Sequence, residues 1–272
     1  MSNAIQTFTD VELTRAEPTV ESNARVGGLA IKNLGVNFGG FRAVDDLNLN
    51  IAANELRVVI GPNGAGKTTL LDMICGKTRP TTGSIRFAGL EIAGMAEHEI
   101  VRAGIGRKFQ APSVYEDLTV AENLEISLPR THGLWQSLFY RRTPEVRRLV
   151  LEVAERARLA SQLSRNAGEL SHGQKQWLEI AMLLLQDSKL LLLDEPVAGM
   201  SPRERELTAE LLKEIAADRT LIVIEHDMEF VASIASKVTV LHQGRVLSEG
   251  SADEVQRDPR VIEVYLGDDH HA

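Results

Sequence analysis

The sequence predicts an α/β protein built on a mostly parallel sheet, and three observations predict it. Residues 56–60, 190–193 and 221–224 are continuous apolar runs, as strands covered on both faces must be. A helical stretch over 203–217 lies between the last two runs and supplies a βαβ crossover. The first run ends at Gly61-Pro62 and passes through a Gly-rich loop into a helix over 67–75 that stops at Gly76.

The remaining elements follow in chain order. Residues 1–27 are polar and poor in aromatics, and read as a flexible leader ending at Gly27-Gly28, with 28–272 as the folded domain. Segments 29–34 and 46–51 alternate apolar and polar residues, which suits half-buried antiparallel strands. Residues 84–87 form a short strand flanked by Gly83 and Gly89. Residues 143–163 are strongly helical with Pro144 near the start, and 174–185 form a second clear helix. Residues 238–241 and 245–249 flank Gln243-Gly244 and read as a terminal hairpin. No tandem repeat is visible.

Composition excludes several classes. Of 272 residues, 43% are apolar and 25% charged, which is ordinary globular usage and excludes collagen-like, low-complexity and wholly disordered chains. The net charge of −8 argues against wrapping nucleic acid. The single cysteine, Cys75, excludes an internal disulfide and a cysteine-built zinc site, and fits a reducing compartment. It reads as a small buried residue without chemistry of its own. No 18-residue apolar span occurs and the first residues lack an apolar export region, so neither a membrane span nor a signal peptide is expected. His270 and His271 lie beyond the last apolar residues and make a poor metal site.

The chemistry begins at Gly61-Pro62-Asn63-Gly64-Ala65-Gly66-Lys67-Thr68, which matches G-x-x-x-x-G-K-[ST] between a strand and a helix. Glycines let backbone N–H groups curl around phosphate oxygens, and the following helix points its positive end at them. Lys67 reaches the β- and γ-phosphates, and the Thr68 hydroxyl is a magnesium ligand. The loop alone does not separate a kinase, a GTPase, a helicase or a transporter motor. The run 190–193 ends in Asp194-Glu195, two acids at the carboxyl edge of a parallel sheet, where ligands bind. Asp194 can hold magnesium, and Glu195 can take a proton from an attacking water.

Leu170-Ser171-His172-Gly173-Gln174 lies upstream of these acids, and here the chain resembles the ATP-binding-cassette ATPases, whose signature is L-S-G-G-Q. The resemblance spans about residues 29–266, with its motifs in family order. It implies a parallel-sheet core, an antiparallel β-subdomain and a helical subdomain around 112–167. It also implies a role for each matching residue. Gln110, in Lys108-Phe109-Gln110, senses magnesium and the attacking water. His226, in Glu225-His226-Asp227, contacts the γ-phosphate. Phe38 stacks on adenine, with Val44 near the ring, and Thr69 joins the phosphate-loop contacts. The catalytic set is therefore Glu195, His226 and Gln110, and the metal set is Thr68, Gln110 and Asp194. Ser171, Gly173 and Gln174 bind the γ-phosphate held by another subunit, so two chains pair head to tail, as a homodimer or a heterodimer.

The implied cofactors are ATP and Mg2+. The implied partners are integral-membrane permease subunits, a second ATPase subunit and, indirectly, a secreted solute-binding protein, with no nucleic acid. The implied location is the cytoplasmic face of the bacterial inner membrane. The alternative is a soluble cassette ATPase of DNA repair or translation, which would need long heptads, a hook or a second cassette that the sequence lacks. A metabolic kinase would leave the signature and His226 unexplained. Two departures stand out: His172 replaces the signature's third-position glycine, and Ser201 in Ala198-Gly199-Met200-Ser201 stands where the family often has S-A-L-D. More narrowly, Asn33-Leu34, Phe38-Gly39-Gly40, Glu225-His226-Asp227-Met228 and Val264-Tyr265-Leu266-Gly267 look like the ATPases of branched-chain amino-acid uptake. The stretch 170–180, with His172 and Trp177, and Pro196-Val197-Ala198-Gly199-Met200 look most like the urea-uptake branch.

Residues 130–158 hold seven arginines, Arg130, Arg141, Arg142, Arg147, Arg148, Arg156 and Arg158, against the three glutamates Glu145, Glu152 and Glu155. Both a solvated helical face and attraction to an acidic permease loop or anionic lipid fit that pattern. Aromatics concentrate at 134–140, which suits local packing or permease contact.

Overall fold

The structure is a computed structural model that describes residues 28–108, 114–128 and 143–268. The expected leader, Gln110, Arg130, Arg141, Arg142, the aromatics of 134–140 and the terminal histidines lie outside the described residues. In chain order the strands are β1 (Leu29–Phe38), β2 (Phe41–Ile51), β3 (Leu56–Ile60), β4 (Thr82–Phe87), β5 (Leu90–Glu91), β6 (Ile105–Lys108), β7 (Leu190–Asp194), β8 (Thr220–Ile224), β9 (Lys237–His242) and β10 (Arg245–Gly250). The helices are α1 (Lys67–Ile74), α2 (Glu97–Arg102), α3 (Val120–Ser127), α4 (Pro144–Arg156), α5 (His172–Leu185), α6 (Pro202–Ala216), α7 (Met228–Ile234), α8 (Ala252–Arg257) and α9 (Pro259–Asp268).

Two sheets form. The larger runs β10-β9-β3-β8-β7-β6, parallel except for the β9–β10 hairpin at its edge. The smaller runs β2-β1-β4-β5 and is antiparallel throughout. α1 lies between them: Leu70, Leu71, Met73 and Ile74 are at most 1% exposed and pack against both sheets. Each such side chain contributes about 1.5–3 kcal/mol relative to leaving it in water. The opposite face of the larger sheet is covered by α5, α6 and α7 and by α3 and α4 of the helical region. An isolated bridge between Thr119 and Asn166 ties that region's two ends together.

The α/β expectation holds, with instructive differences at the ends of elements. β1 and β2 run well past 34 and before 46 because backbone bulges interrupt the alternation. Asn33 and Asp46 sit there with φ of 48° and 51°, and Asn33 Nδ2 donates to Asp46 Oδ1 at 2.7 Å. The helix expected over 143–163 ends at Arg156. Arg158 adopts a left-handed φ of 60°, a 3-10 turn follows at Ala160–Gln162, and Leu159 turns into the core. The Arg158 guanidinium is drawn across to Glu210 and Glu214 of α6, and Arg156 to Asp218. Those two arginines are thus spent inside the chain, while Arg147 and Arg148 stay exposed. Cys75 is half-buried rather than buried, with Arg107 Nη1 donating to its Sγ at 3.2 Å. Among the described residues no helix is long and apolar enough to cross a membrane.

Candidate functional site

β3 delivers the chain to Gly61, whose φ of 151° suits glycine, and a Cβ there would lie 2.2 Å from the Leu241 carbonyl oxygen. At Gly66, φ 99°, a Cβ would lie 2.6 Å from the Ala43 oxygen and 3.4 Å from Val44 Cγ2. The loop is therefore clamped between β2 and the terminal hairpin. Gly244 N donates to Ala65 O at 3.0 Å, and Asp45 N donates to Gly244 O at 3.0 Å. The Tyr265 phenol, on α9, reaches the Gly61 backbone amide.

α1 opens on Gly66 with no side-chain cap, unlike α3, α5, α6 and α8, which open on Thr119, Ser171, Ser201 and Ser251. Its first N–H groups are left for an external anion. The Lys67 ammonium donates to Gly61 O at 2.7 Å and Pro62 O at 3.0 Å. Burial lowers its pKa, while Glu195 and Asp194 pull it back up. Pro62, Asn63, Gly64 and Ala65 complete the turn, Thr68 is exposed on the first helical turn, and Thr69 is half-buried.

β7 ends in the two acids. Asp194 is 2% exposed and its Oδ1 has no hydrogen-bond partner. Its Oδ2 lies 3.8 Å from Arg107 Nη2. Burial pushes the carboxyl up, Arg107 opposes this, and Glu195 adds to it. A buried carboxylate oxygen without a partner is costly unless something binds it. With the Thr68 hydroxyl this is a hard-oxygen donor set that fits Mg2+. Glu195 holds a left-handed φ of 47°, and its N–H donates to Ile224 O at 3.0 Å. Strain of this kind gathers at functional positions. His226 Nδ1 lies 3.7 Å from Glu195 Oε1, with its ring 70% exposed. Glu225 beside it is buried and accepts from Val197 N and His226 N, each at 3.3 Å; burial raises its pKa.

The structure thus groups Lys67, Asp194, Glu195 and His226, but not the signature with its own phosphate loop. Ser171 caps α5: its Oγ accepts from Gln174 N at 3.2 Å, and Gln174 Oε1 accepts from Ser171 N at 3.0 Å. The Ser171 hydroxyl donates to Glu204 Oε1 at 2.9 Å. Gly173 is buried under the same carboxylate. The exposed His172 ring places Nε2 3.2 Å from Gln176 Nε2 and packs against Gly199. Ser201 caps α6, accepting from Glu204 N at 3.4 Å, which is what a serine in that position supplies. Phe38 is 52% exposed at the end of β1, where a planar ligand can reach it, whereas Val44 is 1% exposed and lies beneath Gly66.

Sequence reading missed Arg107, Lys108, Glu204 and Glu225. Arg107 and Lys108 end β6 and are almost fully buried, with Lys108 Nζ 3.7 Å from Glu179 Oε2. A Ser-Pro-x-Glu run at 201–204 is a capping-box signal that marks Glu204 in advance. The charged end of a four-residue strand gives no such signal.

A profile of the family described as ABC transporter matches residues 44–198. A second, described as branched-chain amino acid ATP-binding cassette transporter, matches 245–271. The chain is 35% identical over 249 residues to the high-affinity branched-chain amino acid transport ATP-binding protein BraF of Pseudomonas aeruginosa, covering 88% of this chain and 98% of that protein. Against LivG of Escherichia coli, named likewise, identity is 35% over 251 residues, with coverage of 88% and 98%. Among solved structures, the ADP conformation of MJ1267, an ATP-binding cassette of an ABC transporter, superposes with a TM-score of 0.78 at 30% identity, covering 89% of this chain and 99% of that one. A phosphate loop, a signature helix and a strand-end pair of acids, on one fold shared along nearly the whole of these relatives, make the chain an ATP-hydrolysing ATPase of the ATP-binding-cassette transporters, in their branched-chain amino acid group.

Proposed function

We propose that this chain is the motor subunit of a bacterial importer for a small polar solute. It works beneath integral-membrane permease subunits as half of a head-to-tail ATPase pair fed by a secreted solute-binding protein. The observation that carries this reading is the separation of the two halves of the site. Among the described residues, Ser171 bonds Gln174 and Glu204, not the phosphate loop of its own chain. A second subunit must supply a signature to complete the site.

In that pair, Gly61 to Thr69 hold the phosphates of ATP, with Lys67 leaving the loop carbonyls for the β- and γ-phosphates. Phe38 stacks on the adenine, with Val44 behind the loop. Thr68, Asp194 and Gln110 would hold magnesium, which offsets phosphate charge. Glu195 accepts the proton of the attacking water, and His226 and Gln110 orient the γ-phosphate and that water. Ser171, Gly173 and Gln174 close on the γ-phosphate held by the partner. Binding ATP more tightly in the closed pair than in the open one is what moves the permeases.

The solute we assign is urea. Its support is the resemblance of 170–180 and 196–200 to the urea-uptake branch; in the fold those two stretches lie side by side. His172 packs on Gly199; Trp177 Nε1 donates to Thr208 Oγ1 at 2.8 Å, and Thr208 Oγ1 lies 3.3 Å from Met200 Sδ. Branched-chain amino acids are the second reading, favoured by the names of the relatives and by the match at 245–271. Uptake of labelled urea and leucine by the host with and without this chain decides between them. Loss of urea uptake alone is expected. Loss of leucine uptake alone would replace the solute and keep the motor; no change in either would move the solute to another amino acid or an amide, and failure of the chain to co-purify with integral-membrane subunits would remove the import reading.

A further inference from the structure

We propose that Glu204 is a positioning residue of the ATPase cycle, an internal carboxylate that holds the signature serine until the partner's γ-phosphate displaces it. This rests on the head-to-tail reading above. A serine hydroxyl has one proton to donate, and in this structure Ser171 gives it to Glu204 Oε1 at 2.9 Å. A Cβ added at Gly173 would lie 2.6 Å from that oxygen and 2.8 Å from the Glu204 carboxyl carbon. The carboxylate therefore lies against the first turn of α5, the positive end of a 14-residue helix. It stands where the signature would receive a phosphate.

Glu204 is anchored from its own side. Its Oε2 accepts from Ser201 N at 3.0 Å and from Ser201 Oγ at 2.8 Å. Those bonds hold its pKa below the ordinary range, Ser201's backbone first, so it stays an anion at neutral pH. The Ser171 hydroxyl bond lowers that pKa further, with a smaller electrostatic contribution from His172, the residue that departs from the family signature. Two consequences follow. The Ser171 proton must leave Glu204 before it reaches a phosphate, and the phosphate must approach a fixed negative charge. Glu204 thereby raises the ATP concentration needed to close the pair. Because Ser201 begins the helix that follows the catalytic loop, release of Glu204 is felt at 195–201 of the same chain.

The test uses the assembled transporter with its permeases. Glu204→Gln keeps a residue that serves equally in a capping box but removes the charge. The half-saturating ATP concentration for hydrolysis is expected to fall about two- to fivefold, the range of screened surface charge interactions. The effect should fall on that concentration rather than on kcat, and should shrink as salt is raised. Glu204→Asp withdraws the carboxylate from Ser171 by one methylene and is expected to shift the concentration the same way, which keeps the test open if the glutamine variant melts early. An unchanged or raised half-saturating concentration in the well-folded variants overturns the proposal. Ser171→Arg separates the two ideas. If it leaves hydrolysis intact, the head-to-tail reading fails; if it abolishes hydrolysis while both Glu204 variants behave as wild type, only the role of Glu204 fails.

Discussion

Asp194 carries a cost that the rest of the chain does not remove. It is an anion at the end of a buried strand, its Oδ1 has no partner, and Arg107 stands 3.8 Å from its other oxygen. Burial raises its pKa, so ionisation at neutral pH is a loss for the folded state that a bound cation would recover. Asp194→Asn is expected to leave the nucleotide-free protein as stable or a few degrees more stable, as is common when a functional residue is neutralised. The same variant should lose the rise in melting temperature that ATP with magnesium gives the wild type. Thermal melts with and without Mg-ATP read both effects, and a full ligand-induced rise in the variant would remove Asp194 from the metal set. Lys67 poses the opposite case. Sequence reading gave it no structural duty, but its ammonium bonds two loop carbonyls. Lys67→Ala should abolish tight ATP binding by titration calorimetry. It should also cost about 1–2 kcal/mol of stability, the order of one or two net hydrogen bonds. Wild-type affinity in that variant would break the assignment of the loop.

The decisive element for the phosphate loop is one that lies far from it in sequence, the β9–β10 hairpin. Gly244 has φ 77°, and a Cβ there would lie 2.7 Å from Ala43 O and 2.8 Å from Val44 Cα, both backbone atoms that cannot swing aside. Arg245 then pairs with Asp45 at 2.5 Å. Gly244→Ala should therefore destabilise by about 1–3 kcal/mol, the cost of a strained backbone position. It should weaken ATP as well, because Gly244 N holds Ala65 O. Chemical denaturation and ATP titration of the variant check the two halves; loss of stability with unchanged affinity would show that the hairpin does not shape the loop. Thr119, Ser201 and Ser251 each precede a glutamate three residues on and form capping boxes, so the starts of α3, α6 and α8 have a local signal, though α3 and α8 were not among the expected elements. The end of α4 is not, since the turn at Arg158 is stabilised by carboxylates about fifty residues away.

For the whole molecule, the central expectation concerns pairing. Glu195→Gln keeps size and polarity but cannot accept the water's proton, and removing a general base costs about 10²–10⁴-fold in rate. ATP affinity should stay near wild type, since Lys67, Thr68 and Asp194 are untouched. The closed pair should then persist. Light scattering of the variant with ATP and magnesium, with the permeases present, is expected to report a nucleotide-dependent pair, and adding Ser171→Arg should abolish it. Near-normal hydrolysis by Glu195→Gln in the complex would reject Glu195 as the base and turn attention to His226, 3.7 Å away.

Local chemistry sufficed for one part of this protein. Gly61 to Thr68 can be read because phosphate binding needs a short, contiguous set of backbone conformations and one helix start, all encoded within a few residues. The apolar runs of β3, β7 and β8 can be read because strands covered on both faces admit little else. The bulges at Asn33 and Asp46 escaped, because an alternation that slips by one residue looks like its end. Buried charge was the other blind spot: nothing local marks Arg107 and Lys108 as buried, and only the packing of β6 beside β7 makes them neighbours of Asp194 and Glu179. The sequence by itself determined the nucleotide chemistry and the class of fold. The tertiary structure decided which distant groups share each site, the hairpin under the phosphate loop and the Glu204 carboxylate on the signature, because those contacts join segments whose separation along the chain carries no local signal.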